Sequence, residues 1–181
     1  MQIVGIVGNL KKVSFNRLLL AACAELAPPG MALFEGPIEG IPLFNEDDRH
    51  KGDPEVLANL KSLLADADGV MVFTPEYNAG IPGVLKNAID WLSGMPYVLK
   101  GKPAGVMGAS TGYLGTARAQ AQLRSSLEHC GAPVMPHPQV FLRRAREQFD
   151  SAGRLSDEQT RAFVAEYLKR FAVWVERNHA P

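Results

Sequence analysis

The fold of this chain is decided by the stretch Gly69-Val-Met-Val-Phe-Thr-Pro-Glu-Tyr-Asn-Ala-Gly-Ile-Pro-Gly83. The apolar run from Gly69 to Thr74 is typical of a parallel strand that is buried on both faces. The two prolines and two glycines that follow predict a rigid turn, and Pro82 is suited to open a helix. A buried strand, a shaped turn and a helix together indicate an α/β fold.

The same pattern recurs along the chain. Further apolar runs predict strands at Ile3–Val7, Met31–Phe34 and Ala104–Ala109, and a fifth within Val134–Leu142. Five strands, each followed by a helix, predict a doubly wound sheet. In such sheets ligands bind outside the carboxyl ends of the strands, near the point where the strand order reverses. The loops after strands one, three and four are therefore the candidate site.

Helix boundaries are also readable. Ser14 is expected to cap the first helix, Asp53 with Pro54 the second, and Ser156 the last through the capping-box pattern Ser156-Asp-Glu-Gln159. A fourth helix is expected from about Thr116 to His129, with Gly131 capping its end. The last helix is predicted to bury one side, formed by Phe163, Val164, Tyr167, Leu168, Phe171, Trp174 and Val175.

Length and composition limit the class of protein. The 181 residues fit one domain spanning 1–181, and 19 basic side chains balance 19 acidic ones. This balance argues against nucleic-acid binding through bulk charge. Cys23 and Cys130 form no C-x-x-C and no metal-ligand cluster, so we expect no metal, no disulfide and a reducing compartment. The first eight residues read as a buried strand, which predicts a cytoplasmic protein without a membrane span.

The first candidate loop runs from Gly8 to Asn16. Free backbone N–H groups and the positive end of the helix dipole at its close suit a phosphate. Ser14 and Asn16 add short donors and Lys11 or Lys12 adds charge, although a plain helix cap beside two solvated lysines gives the same pattern. The loop matches neither the P-loop nor the G-x-G-x-x-G pattern, which disfavours a P-loop ATPase and a Rossmann dinucleotide site.

The other two loops have features that suit a flat heterocycle. Pro75–Gly83 places Tyr77 and Asn78 in a rigid turn, and Gly108–Thr116 is rich in small residues that let the backbone approach a ligand. Each is also compatible with an ordinary turn or a flexible glycine loop. Three such loops at three strand ends favour a ligand site over three unrelated turns.

The run Pro75-Glu-Tyr-Asn-Ala-Gly-Ile-Pro-Gly-Val-Leu-Lys-Asn-Ala-Ile-Asp-Trp91 closely resembles the signature of the NADPH-dependent FMN reductase family, which includes quinone, chromate and azo-dye reductases. The resemblance extends from the first loop through Pro42–Asn45 to Gly101–Pro103 and Gly112–Gly115. It implies a flavodoxin-like three-layer sandwich with a five-stranded parallel sheet in the order 2-1-3-4-5 and helices on both faces. It also implies non-covalent FMN.

The resemblance implies the site residues. The family binds the FMN phosphate through a Ser-x-Arg-x-x-Ser-x-Asn pattern, and the corresponding residues here are Asn9, Lys11, Ser14 and Asn16. Phe15, which lies between the last two, is also expected at the cofactor site. Asn9 replaces a serine, Lys11 an arginine, and Val13 stands where a glycine is usual, so the phosphate is expected to be held more loosely because lysine lacks the bidentate fork. The ring contacts correspond to Pro75, Glu76, Tyr77, Asn78, Ser110, Thr111 and Gly112.

The implied activity is an NADPH- or NADH-dependent reduction of a small electron acceptor. Because one face of the flavin would serve both substrates in turn, we expect ping-pong kinetics, with no side chain needed as general acid or base. Backbone N–H groups near Ser110–Gly112 would favour the reduced flavin. Glu76 is expected to be a structural hydrogen-bonding partner, and His50, His129, His137 and His179 have no motif that supports catalysis.

The family also forms dimers or tetramers, so a homodimer or homotetramer is expected. The apolar segment Gly94–Leu99 is a candidate interface. The long connection Glu35–Gly52, with Pro42–Phe44, could wall the flavin pocket, meet a partner subunit or pack as a surface loop. Two alternatives to the enzyme remain, namely a flavodoxin that carries electrons without nicotinamide activity and a binding module that has lost its flavin.

Overall fold

A computed structural model describes residues 1–178 of the chain. The strands are β1 (Gln2–Val7), β2 (Ala32–Glu35), β3 (Gly69–Phe73), β4 (Ala104–Ala109) and β5 (Val140–Leu142). The α-helices are α1 (Phe15–Leu26), α2 (Glu55–Asp66), α3 (Gly83–Leu92), α4 (Ala117–His129), α5 (Ala145–Gln148) and α6 (Glu158–Asn178), and a 3₁₀ helix spans Glu46–Lys51.

The five strands form one parallel sheet in the order β2-β1-β3-β4-β5, which confirms the expected fold. Ile3 pairs with Gly69, Val70 with Ala104, and Met107 with Val140. The order reverses between β1 and β3, so the loops after these two strands flank the point at which a doubly wound sheet binds its ligands.

Both faces of the sheet are buried, which explains the continuous apolar runs. Met71 and Phe73 of β3 pack with α1 and α6 on one face, whereas Val70 and Val72 pack with α2, α3 and α4 on the other. Because successive side chains of a strand point to opposite faces, a strand covered on both sides must be apolar at every position. The helices on both faces complete the expected three layers.

Two of the predicted helix ends are confirmed. The Ser14 hydroxyl accepts a hydrogen bond from the backbone N–H of Arg17 at 3.2 Å, which caps α1. At the end of α4, Gly131 has φ of 81°, and Ala132 N donates to Leu127 O at 3.0 Å. This is the left-handed glycine ending that satisfies the last carbonyls of a helix.

Two predicted caps and one core position are wrong. The carboxylate of Asp53 does not cap α2, because it pairs with the buried Lys61 ammonium at 2.8 Å. At α6 the cap is Asp157, whose side chain accepts from Thr160 N at 2.8 Å, while the Ser156 hydroxyl turns to Gln148 O. Phe163 is 44% exposed and does not belong to the buried side of α6.

Candidate functional site

The three candidate loops follow the carboxyl ends of neighbouring strands. Loop 1 (Gly8–Asn16) follows β1, loop 2 (Thr74–Pro82) follows β3, and loop 3 (Ser110–Thr116) follows β4. Since β1, β3 and β4 are adjacent in the sheet, the three loops meet at one edge, as the sequence predicted.

The three uncharged polar side chains of loop 1, those of Asn9, Ser14 and Asn16, each accept a hydrogen bond within the protein. Asn9 is buried, and its side-chain oxygen accepts from Lys11 N at 3.1 Å. Asn16 is 2% exposed, and its amide both donates to Ala109 O at 3.0 Å and accepts from Ala109 N at 2.9 Å. Asn16 therefore ties loop 1 to the end of β4, next to loop 3.

Loop 1 presents backbone donors instead. The N–H groups of Ser14, Phe15 and Asn16 lie at the start of α1, and none has a hydrogen-bond acceptor within residues 1–178. Lys11 and Lys12 are exposed beside them. Free N–H groups at the positive end of a helix dipole, with exposed ammonium groups at the rim, suit a phosphate.

Arg17, which no sequence pattern singled out, fixes the course of loop 1. Its Nη1 donates to Lys11 O at 2.7 Å and to Lys12 O at 3.2 Å, and its Nη2 pairs with Glu35 at 2.6 Å. Hydrogen bonding to Glu35 raises the pKa of the Arg17 guanidinium. The sequence held one sign of this role: a cation in the first turn of a helix is disfavoured by the dipole, which indicates that Arg17 has a partner elsewhere.

Loop 2 is a tight reversal that exposes an aromatic ring. Tyr77 and Gly80 exchange two backbone hydrogen bonds of 3.1 and 3.0 Å. Between them Asn78 and Ala79 have φ of 51° and 64°, as in a type I′ turn. Left-handed backbone at a residue such as Ala79 is strained and tends to occur at functional sites. The turn leaves Tyr77 51% exposed and Asn78 exposed, while Pro75 is buried beneath them.

Glu76 joins loop 2 to the helix that follows loop 3. Its Oε2 accepts from the backbone N–H groups of Arg118 and Ala119 at 2.9 and 3.2 Å, and its Oε1 lies 3.3 Å from Arg118 Nε. The carboxylate thus caps α4 from outside the helix, and the expected structural role of Glu76 is confirmed. Gln122 of α4, which the sequence reasoning missed, accepts from Ile81 N at 3.2 Å.

Loop 3 is shaped by its backbone. A Cβ on the preceding Gly108 would collide with Thr74 O and Thr116 Oγ1. The carbonyls of Ser110 and Gly112 accept from Ala145 N and Arg144 N at 2.9 and 3.2 Å. The first contact turns the N–H of Thr111, which lies in the same peptide plane as the Ser110 carbonyl, away from Ala145. Neither Thr111 N nor Gly112 N has an acceptor within residues 1–178.

Arg144 is a second residue that the sequence did not single out. Its guanidinium lies 4.9 Å from the centre of the Tyr113 ring, and its φ of 47° is left-handed. Nothing in the sequence pattern of this segment indicates a contact with loop 3.

Taken together, the three loops fit an anionic, flat ligand. Loop 1 offers N–H groups and lysines for a phosphate, and loops 2 and 3 offer an exposed ring and free N–H groups for a heterocycle. Asn16 holds loop 1 against the end of β4 and Glu76 holds loop 2 against the start of α4, so hydrogen bonds within the chain fix the positions of both loops.

The chain matches the family model of NADPH-dependent FMN reductases over residues 1–147. It is 40% identical over 177 residues to an NAD(P)H-dependent FMN reductase of Pseudomonas aeruginosa, covering 97% of this chain and 96% of the relative. The chain belongs to the NADPH-dependent FMN reductase family. A quinone reductase of Escherichia coli is 36% identical over 181 residues, covering 98% of this chain and 96% of the relative.

A solved structure agrees with this membership. The flavoenzyme NAD(P)H:(acceptor) oxidoreductase FerB of Paracoccus denitrificans superposes with a TM-score of 0.91 at 34% identity, covering 99% of each chain. A Pseudomonas aeruginosa flavodoxin shares the fold at a TM-score of 0.61 but is only 15% identical, covering 97% of this chain and 99% of the flavodoxin. The expected family, fold, oxidoreductase activity, FMN and NAD(P)H are thereby confirmed, and the flavodoxin alternative is not better supported.

The histidines that the structure describes lie away from the three candidate loops. His50, His129 and His137 are exposed outside the three loops, and His179 lies outside the described residues. Within residues 1–178 no cluster of three His, Cys, Asp or Glu side chains could hold a metal ion. None of the helices in that part of the chain is both long and apolar enough to cross a bilayer.

The Pro42–Phe44 segment packs on α3. The Pro42 carbonyl accepts from Asn87 Nδ2 at 2.8 Å and from Trp91 Nε1 at 2.9 Å, and Phe44 meets the Trp91 ring edge-on at 5.3 Å. Leu43 between them is 86% exposed. The segment is therefore a packed surface loop that offers one apolar side chain outward.

Proposed function

We propose that this FMN reductase family member is a quinone-type reductase, which oxidises NADPH or NADH and reduces a small diffusible acceptor with ping-pong kinetics. One observation carries the proposal: three cross-linked loops form an open surface with free backbone N–H groups at both ends and an exposed aromatic ring between them. Relatives of similar length are quinone reductases, which supports a quinone as acceptor.

At the phosphate end, Lys11 and the N–H groups of Ser14, Phe15 and Asn16 hold the anion, and the Ser14 hydroxyl can donate to it while accepting from Arg17 N. Asn9 and Asn16 do not contact the anion; they fix the course of the loop that carries these groups. The anion therefore binds mainly to backbone groups whose positions are set before binding.

At the ring end, FMN supplies the redox chemistry when it is bound, and the chain positions it. Pro75, Glu76, Tyr77 and Asn78 support one edge and face of the ring. The N–H groups of Thr111 and Gly112, with Ser110, favour negative charge on its other side. No side chain serves as acid or base, since both oxygens of Glu76 are occupied by α4.

Open access to this surface explains the class of acceptor. Tyr77 and Tyr113 are 51% and 73% exposed, so a flat molecule can reach the ring face and leave again. A donor and an acceptor that share one face must bind in turn, which gives ping-pong kinetics. A planar quinone is suited to stack there.

The test is steady-state turnover of the purified protein with added FMN, NADPH or NADH, and a panel of quinones, azo dyes, chromate, nitro compounds and free flavin. We expect a benzoquinone to be reduced with parallel double-reciprocal lines. Loss of turnover when FMN is replaced by riboflavin at equal concentration would support the phosphate end. An FMN-loaded protein that oxidises neither nucleotide would contradict the proposal.

The proposed assembly is a homodimer or homotetramer of a cytoplasmic protein, with one domain per chain. Three exposed apolar side chains, Leu43, Met95 and Tyr97, support it at 86%, 76% and 57% exposure. Arg49 lies between the two segments that carry them, over the Phe44 ring and 3.3 Å from Ser93 Oγ. Sedimentation of Leu43→Glu with Met95→Glu should give monomers, and an unchanged sedimentation coefficient would exclude this surface.

A further inference from the structure

A second concave surface lies far from the three loops. It is a cleft of about 420 Å³ between the C-terminal half of α6 and residues 135–137, a volume in the usual range of small-molecule sites. Its floor is apolar and consists of Met135, Pro136, Val173 and Trp174, and its rim is polar and consists of His137, Glu166, Lys169, Arg170 and Arg177. We call this surface the α6 cleft.

The α6 cleft is at the opposite end of the sheet from the redox site. Met135 N donates to Ala104 O at 2.9 Å, and Ala104 is the first residue of β4, whereas loop 3 begins after Ala109, its last. The length of a six-residue strand, roughly 20 Å, therefore separates the two surfaces.

The rim carries an excess of positive charge. Glu166 is the one carboxylate among the rim residues named above, and it is paired with Arg170 at 2.8 Å. Within residues 1–178 no carboxylate lies within 4.0 Å of the Lys169 ammonium or the Arg177 guanidinium. The whole chain has equal numbers of acidic and basic residues, so this local excess is not a reflection of bulk charge.

A buried cation lies behind the floor. Arg124 Nη1 donates to Met135 O at 2.7 Å, while its Nε and Nη2 are buried without a hydrogen-bond partner in the described chain. Burial lowers the pKa of Arg124. A buried, under-partnered guanidinium next to the floor adds to the positive potential there and is stabilised by a nearby anion.

The floor offers a fixed flat surface. Trp174 Nε1 donates to Pro133 O at 3.0 Å, which holds the indole in place, and Val173 beside it is 44% exposed. Lys169, Arg170 and Arg177 each lie three or four positions from Val173 or Trp174. Their side chains are therefore one helical turn away, on the same face.

We propose that the α6 cleft binds a small amphipathic carboxylate, with a flat apolar body on Trp174 and Val173 and the carboxylate held by the rim cations. Charge complementarity favours an anion, and the indole and valine surface favours an aromatic body over an inorganic ion. This site goes beyond the redox function and does not depend on it, since the cleft shares no residue with the three loops.

The test follows the indole Nε1 signal of Trp174 by ¹H–¹⁵N NMR of the FMN-loaded protein, with Trp174→Phe to assign it against Trp91. The probe is 2-naphthoate, and the matched neutral probe is 2-naphthamide. We expect 2-naphthoate to shift the Trp174 signal saturably and to bind roughly tenfold more tightly than 2-naphthamide, the ratio that one charge-assisted contact provides.

Variants separate a local site from bulk charge. Lys169→Ala with Arg177→Ala should weaken 2-naphthoate binding roughly tenfold or more, whereas Lys51→Ala with Lys86→Ala removes the same charge from exposed positions elsewhere and should leave it unchanged. Equal binding of the two probes, an equal loss in both double variants, or an unmoved Trp174 signal would overturn the proposal. So would a Trp174 signal that changes with protein concentration alone, because the cleft would then be an interface between copies of the chain.

Discussion

Loop 1 and loop 3 hold their shapes in opposite ways. Loop 1 is held by side chains, because Asn9, Asn16 and Arg17 bind backbone groups and fix the path of the chain. Loop 3 is held by its backbone. Gly108 lets the chain pack closely against Thr74 and Thr116, and the carbonyls of Ser110 and Gly112 accept hydrogen bonds from the segment after β5. Yet both present free N–H groups. Polar side chains at a strand end can therefore stabilise the loop rather than bind the ligand.

The largest effect is expected where backbone packing alone sets the shape. A Cβ in Gly108→Ala would meet the carbonyl of Thr74 and the hydroxyl of Thr116, both of which are buried. Overpacking against fixed backbone should lower the free energy of unfolding by about 3 kcal/mol. Urea denaturation of the apoprotein measures it.

Gly83→Ala is the matched control. Gly83 begins α3, and nothing lies within 4 Å of a Cβ built there. Since alanine favours the helix, this variant should be more stable by about 0.5 kcal/mol. If both variants had the same urea midpoint, close packing would not be what shapes the start of loop 3.

The second prediction concerns the link between the two loops. Asn16→Leu keeps the number and branching of the heavy atoms but removes both hydrogen bonds to the buried backbone of Ala109. The unpaired N–H and C=O should lower the free energy of unfolding by about 2 kcal/mol and weaken FMN binding, because loop 1 and loop 3 are no longer held together. Urea denaturation and FMN fluorescence quenching measure the two effects.

Its control is Asn45→Ala, which removes the exposed cap of the 3₁₀ helix, a single hydrogen bond to Asp47 N of 3.1 Å. The control should cost about 0.5 kcal/mol and leave FMN affinity unchanged. Equal stability of Asn16→Leu and the native chain would mean that the two loops are fixed independently.

Most of the fold could be predicted from the sequence. The apolar runs at β1, β3 and β4 follow from burial on both faces, so their pattern predicts central strands of a parallel sheet. The caps of α2 and α6 could not be predicted, because the side chains of Asp53 and Ser156 bind other groups instead of the helix N–H groups. Asp53 pairs with Lys61, and Ser156 donates to the Gln148 carbonyl. Lys61 lies eight residues from Asp53 and binds it from the buried side of α2, a contact that short-range patterns do not encode.

The meeting of the three candidate loops at one edge could be predicted too, because the carboxyl ends of parallel strands lie at the same edge of an α/β sheet. Which side chains of these loops bind other parts of the protein, and which face a ligand, could not be predicted. The partners of Arg17 and Asn16, Glu35 and Ala109, are distant in sequence, and the sequence alone makes Asn16 look like a donor that faces the ligand. The support of loop 3 by Arg144 and Ala145 depends on the path of the chain after β5.

The third prediction tests whether side chains control loop 1. Arg17→Met retains much of the apolar stem but removes the hydrogen bonds to Lys11 O and Lys12 O. The freed loop must be ordered when FMN binds, so the affinity for FMN should fall roughly tenfold. Fluorescence quenching of FMN measures it. Arg154→Met, which breaks an exposed pair with Asp150, is the control, and an equal loss in both variants would exclude a specific clamp.

The smallest effect is expected at the exposed rim of loop 1. Lys11 is exposed, so Lys11→Glu changes a solvent-screened interaction and should weaken FMN binding roughly fivefold at low salt. Riboflavin, which lacks the phosphate, should bind the variant and the native chain equally, and Lys51→Glu should change neither affinity. The loss should shrink as salt rises for Lys11→Glu and persist for Arg17→Met, because a screened charge and an ordered loop differ in this respect. An unchanged FMN affinity would remove Lys11 from the phosphate site and leave that role to the backbone of α1.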